Sequence, residues 1–132
     1  MNSSSKDIKH MLEADSGLSL TFATNLFIGK EPVKPDNCVT IFDTTGNGPY
    51  LGLDTTGYYY PSIQIRVRNK NYNTGLTLIQ NIMIFLHAKH QEQESGTLYS
   101  LIQCPSEPAF LDWDDNGNAR FVCNFNIQRR VV

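Results

Sequence analysis

The stretch 61–90 constrains the fold most, because its hydrophobic pattern changes once from a two-residue period to a helical one. In its first part, Ile63, Ile65 and Val67 alternate with Gln64, Arg66 and Arg68. Strict alternation places the apolar side chains on one face of a strand and the polar ones on the other. The polar run 69–71 then ends the strand pattern and offers a cap for a helix. The stretch therefore predicts one half-buried strand followed by one helix.

The helix predicted from Tyr72 to about Lys89 carries two neighbouring apolar stripes. The first consists of Leu76, Ile79, Met83 and Leu86, and the second of Leu78, Ile82 and Phe85. Together they cover about half of the helical cylinder, which exceeds the arc of ~100° that a surface helix usually buries. The first stripe is expected to cover a sheet. The second requires another cover, which is either the N-terminal helix or a neighbouring subunit, so these three residues are candidate contact residues.

The rest of the chain predicts the fold class. Residues 3–17 read as a short capped helix, and strand patterns occur near 18–29, 38–42, 97–104 and 121–128. Turn residues between the late strands favour antiparallel pairing. With 132 residues, 40% of them hydrophobic, one domain spanning 1–132 is expected. The prediction is an α+β fold, with a mostly antiparallel sheet of four to five strands and two helices packed on one face.

A glycine- and tyrosine-rich segment from Thr44 to Tyr60 interrupts the strand patterns. A connection of this length is uncommon inside a compact domain and is often functional. Its end, Tyr58, Tyr59 and Tyr60, suits protein contacts because tyrosine combines apolar area with a polar tip. Two interpretations stay open: the tyrosines contact a partner, or the segment folds over its own sheet edge.

The sequence contains no convincing catalytic or metal-binding motif. His87 and His90 have a helical spacing that suits one metal, but no further ligand stands nearby. The run from Asp112 to Gly117 matches half of a calcium loop, whereas a hairpin turn explains the same residues. We therefore expect no enzyme activity, no cofactor and no metal. The three cysteines are expected to be reduced.

Charge and hydropathy narrow the possible partners. The net charge of −2 and the pI of about 5.8 argue against a dedicated DNA-binding surface. Arg66 and Arg68 share the solvent side of the predicted central strand, where they line a polar surface or contact phosphates. No apolar run approaches the ~20 residues that span a membrane, so no membrane partner is expected.

Three groups of motifs occur in one order along the chain. The first is TNLFIG (24–29) with PDNCVTIFDT (35–44), the second is 61–72, and the third is EPAFL (107–111) with DNGNARF (115–121). This set resembles the minor capsid or tail terminator-like proteins of tailed bacteriophages over nearly the whole chain. The resemblance implies an α+β subunit without catalysis or cofactor.

The resemblance also implies an assembly. Members of such a family are expected to form a ring, usually of six copies, that caps the tail tube and meets the head-completion or connector protein. Genomic DNA would pass through the lumen, with Arg66 and Arg68 on the lumen or another polar face. The subunit would assemble in the bacterial host cytoplasm and stay in the virion tail. The alternative is a DNA-binding or packaging accessory protein of a phage, which would use the same arginines.

Overall fold

Two helices and seven strands make up the part of the chain that the computed structural model describes, which is residues 1–49 and 57–132. The helices are α1 (Ser4–Ala14) and α2 (Tyr72–Leu86). The strands are β1 (Leu26–Ile28), β2 (Cys38–Asn47), β3 (Tyr58–Asn69), β4 (Glu92–Glu94), β5 (Thr97–Gln103), β6 (Ala109–Trp113) and β7 (Ala119–Val131). The order matches the predicted alternation of a helix, strands, a second helix and further strands.

All strands join one sheet with the order β1-β2-β3-β7-β5-β4, and β6 also pairs with β7. The long strand β7 pairs with β3 along one side, while on its other side β6 pairs with its first half and β5 with its second half. Every pairing is antiparallel except that of β1 with β2, which is parallel. The paired strands β3 and β7 therefore form the centre of the sheet.

Both helices begin at caps that the sequence predicted. The Ser3 side chain accepts a hydrogen bond from the backbone of Lys6, and the Asn71 side chain accepts one from Thr74. These side chains satisfy backbone donors that a helix leaves free at its start. Helix α2 begins three residues after the end of β3, at Tyr72, which is the position expected from the change of period.

A single apolar core lies between the two helices and one face of the sheet. The predicted inner residues of β3, Ile63, Ile65 and Val67, are fully buried there. The core continues through Phe121 and Phe125 of β7 and through residues of both helices. Since Gly75 of α2 packs against the Phe121 ring, an added Cβ would lie 2.7 Å from that ring. Neither of the two described helices packs on the opposite face of the sheet.

The predicted α+β class is confirmed, but the sheet differs from the predicted one. It is mixed and has seven strands in the described ranges, whereas four to five mostly antiparallel strands were expected. The difference arises at the edges. Strand β4 (Glu92–Glu94) lies in a stretch interpreted as a polar loop, and it pairs with β5 through its backbone. Such pairing needs no hydrophobic alternation, so the pattern does not reveal it.

Candidate assembly surfaces

An exposed group of aromatic side chains lies where β6 meets the start of α2. We call Tyr72, Phe110 and Trp113 the edge patch; they are 39%, 38% and 55% exposed. Their ring centroids lie 5.5–6.2 Å apart. The buried ring of Phe121 packs beneath them, 5.0 Å from Tyr72 and 5.8 Å from Phe110. The patch is therefore an ordered surface that is continuous with the core.

The sequence did not identify the edge patch as a contact candidate. Phe110 appeared only within the EPAFL motif (107–111), and Trp113 belonged to a predicted turn. The structure brings both next to Tyr72 because β6 pairs with β7 in a register that places Phe110 opposite Phe121. The available signal was the occurrence of two aromatic residues, Phe110 and Trp113, within four positions. Single aromatic residues are normal on a surface.

Helix α2 has one wide buried arc in place of two separate stripes. Ile79, Ile82 and Leu86 are fully buried. Ile82 therefore has no surface to offer a partner, and its assignment as a contact residue is wrong for this subunit structure. Leu78 and Phe85 are partly buried against the core, and the Lys89 ammonium lies 4.4 Å from the Phe85 ring centre. Much of the predicted surplus of apolar helix surface is thus used within the chain.

The three tyrosines lie at the start of a strand, since β3 begins at Tyr58. Tyr59 is 43% exposed, and Tyr58 is half-buried with the Arg130 guanidinium 6.0 Å from its ring centre. Tyr60 borders a cleft of about 130 Å³ on the sheet face without helices. The predicted connection is shorter than expected, because β2 extends to Asn47. Residues 50–56 of that connection lie outside the described ranges.

At the centre of the sheet face without helices, uncharged polar side chains pair across the strands. Gln64 donates to Asn124 at 3.0 Å, and Ser62 donates to Asn126 at 3.0 Å, across β3 and β7. Arg66 is half-buried here; its Nε donates to Gln64 at 2.8 Å, and its guanidinium lies 5.0 Å from the Phe42 ring centre. Arg66 therefore lies on the predicted polar face.

Arg68 lies at the same side of β3 but is buried, so it does not line an open surface. The loop between β1 and β2 covers it, with Arg68 donating to the carbonyls of Pro35 at 2.7 Å and Asp36 at 3.0 Å. Glu31 of this loop pairs with Arg68 at 3.3 Å and with Arg120 at 3.2 Å. The arginine therefore anchors a loop to the sheet and is not available to a lumen.

Two carboxylates near this loop have lowered pKa values. Arg120 donates to both oxygens of Asp112 at 2.6 Å, and these hydrogen bonds hold the pKa of Asp112 below its ordinary value. On the loop itself, hydrogen bonds from Lys34 and Lys70 lower the pKa of Asp36 to about 2. Both carboxylates stay ionised at neutral pH and keep the loop and the start of β7 in place.

The candidate metal residues make other contacts. His87 Nδ1 accepts from the Cys104 backbone at 3.0 Å, and His90 Nδ1 lies 3.2 Å from the Ala88 carbonyl. In the run 112–117, which matched half of a calcium loop, Asp114 Oδ1 accepts hydrogen bonds from the backbone N–H groups of Asn116 and Asn118. This is the pattern of a hairpin turn between β6 and β7. Within residues 1–49 and 57–132, no group of three or more His, Cys, Asp or Glu residues is placed to hold a metal ion.

A buried polar contact joins the two ends of the chain. Tyr99 of β5 donates to Asp7 of α1 at 2.5 Å, and Arg129 of β7 donates to the Tyr99 hydroxyl at 3.2 Å. Burial, together with the hydrogen bond to Asp7, raises the pKa of Tyr99. All three residues are buried inside the subunit, so this contact orients α1 on the sheet and carries no candidate chemistry.

The fold is shared with a protein of a virus-like particle. A chain from a solved structure described as the virion of a native gene transfer agent particle superposes with a TM-score of 0.70 at 12% sequence identity. The similarity covers 97% of this chain and 95% of that chain. At this identity, the likeness shows a common fold. A search of the curated proteins finds no match.

The family follows from the sequence itself. The family model described as "Bacteriophage tail terminator protein" matches residues 7–131. Because this match covers nearly the whole chain, the protein belongs to the bacteriophage tail terminator family. It is thus a structural component of a phage tail, as the motif resemblance implied.

No helix in the described ranges is both long and apolar enough to span a membrane.

Proposed function

We propose that this protein closes the tail of a phage by forming a homo-oligomeric ring, a hexamer, at the head-proximal end of the tail tube. On one side the ring contacts the tail tube protein, and on the other the head-completion or connector protein. The ring number and position come from the family resemblance. In this proposal the subunit assembles in the host cytoplasm, carries no cofactor and catalyses no reaction.

The edge patch is the observation that supports the ring most directly. Tyr72, Phe110 and Trp113 present three packed aromatic rings on a strand edge, and β6 pairs with β7 alone among the described strands. Large contiguous apolar patches are uncommon on free monomers, an open strand edge can pair with another chain, and aromatic residues are enriched in the centres of interfaces. We therefore assign the edge patch to the contact between neighbouring subunits.

The geometry of such a contact favours a ring. The edge patch lies at one side of the sheet, while β1 forms the opposite edge at the same end. A contact between the patch and a different surface of the next copy is head-to-tail, and it closes into a ring when the rotation per subunit fits. A two-fold dimer would instead require the patch to pack on itself.

The remaining candidate residues are assigned to contacts along the tail axis. The three tyrosines 58–60 lie at the end of β3 that is far from the edge patch. Tyr58 is paired with Arg130 near the end of β7, whereas β6, which carries Phe110 and Trp113, pairs with the first residues of β7. Phe85 and Leu78 are the partly exposed flanks of α2. Two separate surfaces are what a ring needs when it binds its own neighbours and also a tube or connector.

The sheet face without helices is assigned to the lumen or another polar face of the ring. Its cross-strand amide pairs are uncharged. Its partly open cations are Arg66, Arg130 and Arg120, and the charge of Arg120 is paired with Asp112 and Glu31. A surface with few cations binds phosphates weakly, because nonspecific DNA affinity depends on the number of neutralised phosphates. Such a lining suits DNA that passes without being held.

The test compares patch variants with a matched control. Phe110→Ser combined with Trp113→Ser should leave the circular dichroism spectrum unchanged and abolish incorporation into tails. Val33→Ser removes an apolar residue that is 80% exposed elsewhere, and it should assemble normally. Cryo-electron microscopy of wild-type tails should show a closed ring of six copies at the head end. A single copy, an open chain or normal assembly of the double variant would contradict the proposal.

A second comparison addresses the tyrosines and the DNA-binding alternative. Tyr59→Ser combined with Tyr60→Ser should preserve folding and ring formation but lower attachment to tubes. The alternative function, a DNA-binding or packaging accessory, requires retention of the purified protein on duplex DNA at low salt that falls steeply with added salt. If the wild-type protein binds duplex DNA in this way and the Arg66→Gln variant does not, the DNA-binding alternative would be favoured over a role of this face as the lumen of a tail ring.

A further inference from the structure

Two cysteines that are 19 positions apart in sequence meet in the fold. Cys104 follows the last residue of β5, and Cys123 lies on the inner face of β7. Their sulfur atoms are 3.2 Å apart. Neither the spacing nor the number of the cysteines predicted this pair. The third cysteine, Cys38, is free and buried in β2.

A bond would need a small movement at Cys104, whose backbone N–H donates to His87. A disulfide requires a sulfur separation of about 2.0 Å, so the sulfurs must approach by roughly 1 Å. Cys104 belongs to the connection between β5 and β6, outside both strands. Its thiol donates to the Ser106 carbonyl at 2.9 Å, a contact within the same connection that a bond would replace.

The two thiols differ in their access to reagents. Cys104 borders an open cleft of about 540 Å³ lined also by His87, Ser106 and Glu107. Cys123 is buried, and burial raises the pKa of its thiol. A reagent from solution therefore meets Cys104 first, while Cys123 lies behind it as the second thiol.

We propose that Cys104 and Cys123 are a modification site that forms a reversible intramolecular disulfide with a small-molecule disulfide as the oxidant. The Cys104 thiolate attacks one sulfur of the oxidant, which releases the other sulfur as a thiolate. The Cys123 thiol loses its proton and attacks the Cys104 sulfur, which releases the second half of the oxidant. The protein loses two protons and two electrons, and the oxidant gains them as two thiols.

The redox state of this cysteine pair should change when the protein passes from the host cytoplasm to the released virion. In a reducing cytoplasm the pair stays a dithiol, and outside the cell it becomes a disulfide. The use of this change rests on the proposed function, because it supposes assembly in the host followed by release in the virion. The bond would tie the β5–β6 connection to the central strand β7, directly beside the strand that carries the edge patch. The disulfide would therefore stabilise the subunit only after the virion has assembled and left the cell.

The experiment treats the purified full-length protein with oxidised glutathione under native conditions. Wild-type protein should lose the mass of two hydrogen atoms, and peptide mapping should find Cys104 joined to Cys123. Cys38→Ala should behave in the same way, whereas Cys104→Ala should retain its mass or carry glutathione. The melting temperature of the wild type should rise by about 10 °C on oxidation and return on reduction.

The contradicting outcomes are separate from those of the ring. A wild-type protein that keeps all thiols, or that joins Cys38 to another cysteine, would overturn the proposed pair. A disulfide without any rise in melting temperature would overturn its stabilising role. Each measurement uses the free protein, so a failure to form rings would refute the proposed function and leave this site intact.

Discussion

Helix α2 gives the sharpest test of the structure, because two isoleucines two positions apart lie on opposite sides of it. Ile82 is 0% exposed and Ile84 is 69% exposed. Sequence periodicity placed Ile82 on a second stripe, to be covered by the N-terminal helix or by a neighbouring subunit, and the structure places it in the core of the subunit. Ile82→Ala should therefore destabilise the isolated subunit strongly, and Ile84→Ala should not.

The magnitudes follow from the carbon atoms that each change removes. Isoleucine to alanine removes three carbons, and burial contributes ~0.8 kcal/mol for each, or about 2.4 kcal/mol at Ile82. The cavity that remains adds to this, so a loss of about 3–4 kcal/mol is expected. At Ile84 most of the side chain stays in water in both states, and alanine favours the helix by about 0.4 kcal/mol. The net change there should be under ~0.5 kcal/mol.

Urea unfolding followed by circular dichroism measures both changes. The midpoint should fall for Ile82→Ala with an unchanged slope, since the surface exposed on unfolding stays similar. Ile82→Val, which removes one carbon, should cost about 1 kcal/mol and guards against complete unfolding of the alanine variant. Equal losses at the two positions, or a larger loss at Ile84, would refute the helix phase on which the core rests.

Three further changes test other parts of the structure. Gly75→Ala should lower the melting temperature although alanine favours helices, because its Cβ would lie 2.7 Å from the Phe121 ring; a rise would show that the ring moves freely. Tyr99→Phe should cost about 1–3 kcal/mol in urea unfolding, because it removes the hydroxyl donor to buried Asp7, and an unchanged midpoint would show that Asp7 needs no such donor. Asp36 has its pKa lowered from 3.8 to about 2 by two lysines, so its stabilising contribution should be complete above pH 4 and disappear as the pH falls toward 2. The Asp36→Asn variant should lack that part of the acid dependence, and an identical pH profile in both proteins would contradict the assignment.

The central strand and both helix starts were predictable because their signals are local. Alternation in β3 identifies its buried face, and caps at Ser3 and Asn71 mark where each helix begins. The period of α2 was also correct, since the seven positions of its two predicted stripes are all buried or partly buried. The pattern left open which part of the molecule covers the second stripe. Contact with Phe121 and the sheet then selects the arc centred on Ile79 and Ile82.

The candidate surfaces depend more heavily on the tertiary structure. The edge patch unites Tyr72 with residues from about forty positions later, and only the register of β6 on β7 brings them together. Arg66 and Arg68 have equivalent places in the strand pattern, yet the β1–β2 loop buries Arg68 and leaves Arg66 partly open. Pairing across a sheet is set by backbone hydrogen bonds, which every residue type except proline can make.

Periodicity, caps and motif order were enough to predict the α+β class, the central strand, the two helices and the family. The number of strands, the cover of the second α2 stripe, the edge patch and the meeting of Cys104 with Cys123 became visible only in the fold. The two groups differ in the sequence distance over which the deciding interactions act. Periodicity and caps act within a few residues, whereas strand register and side-chain contacts join distant segments whose pairing local sequence does not specify.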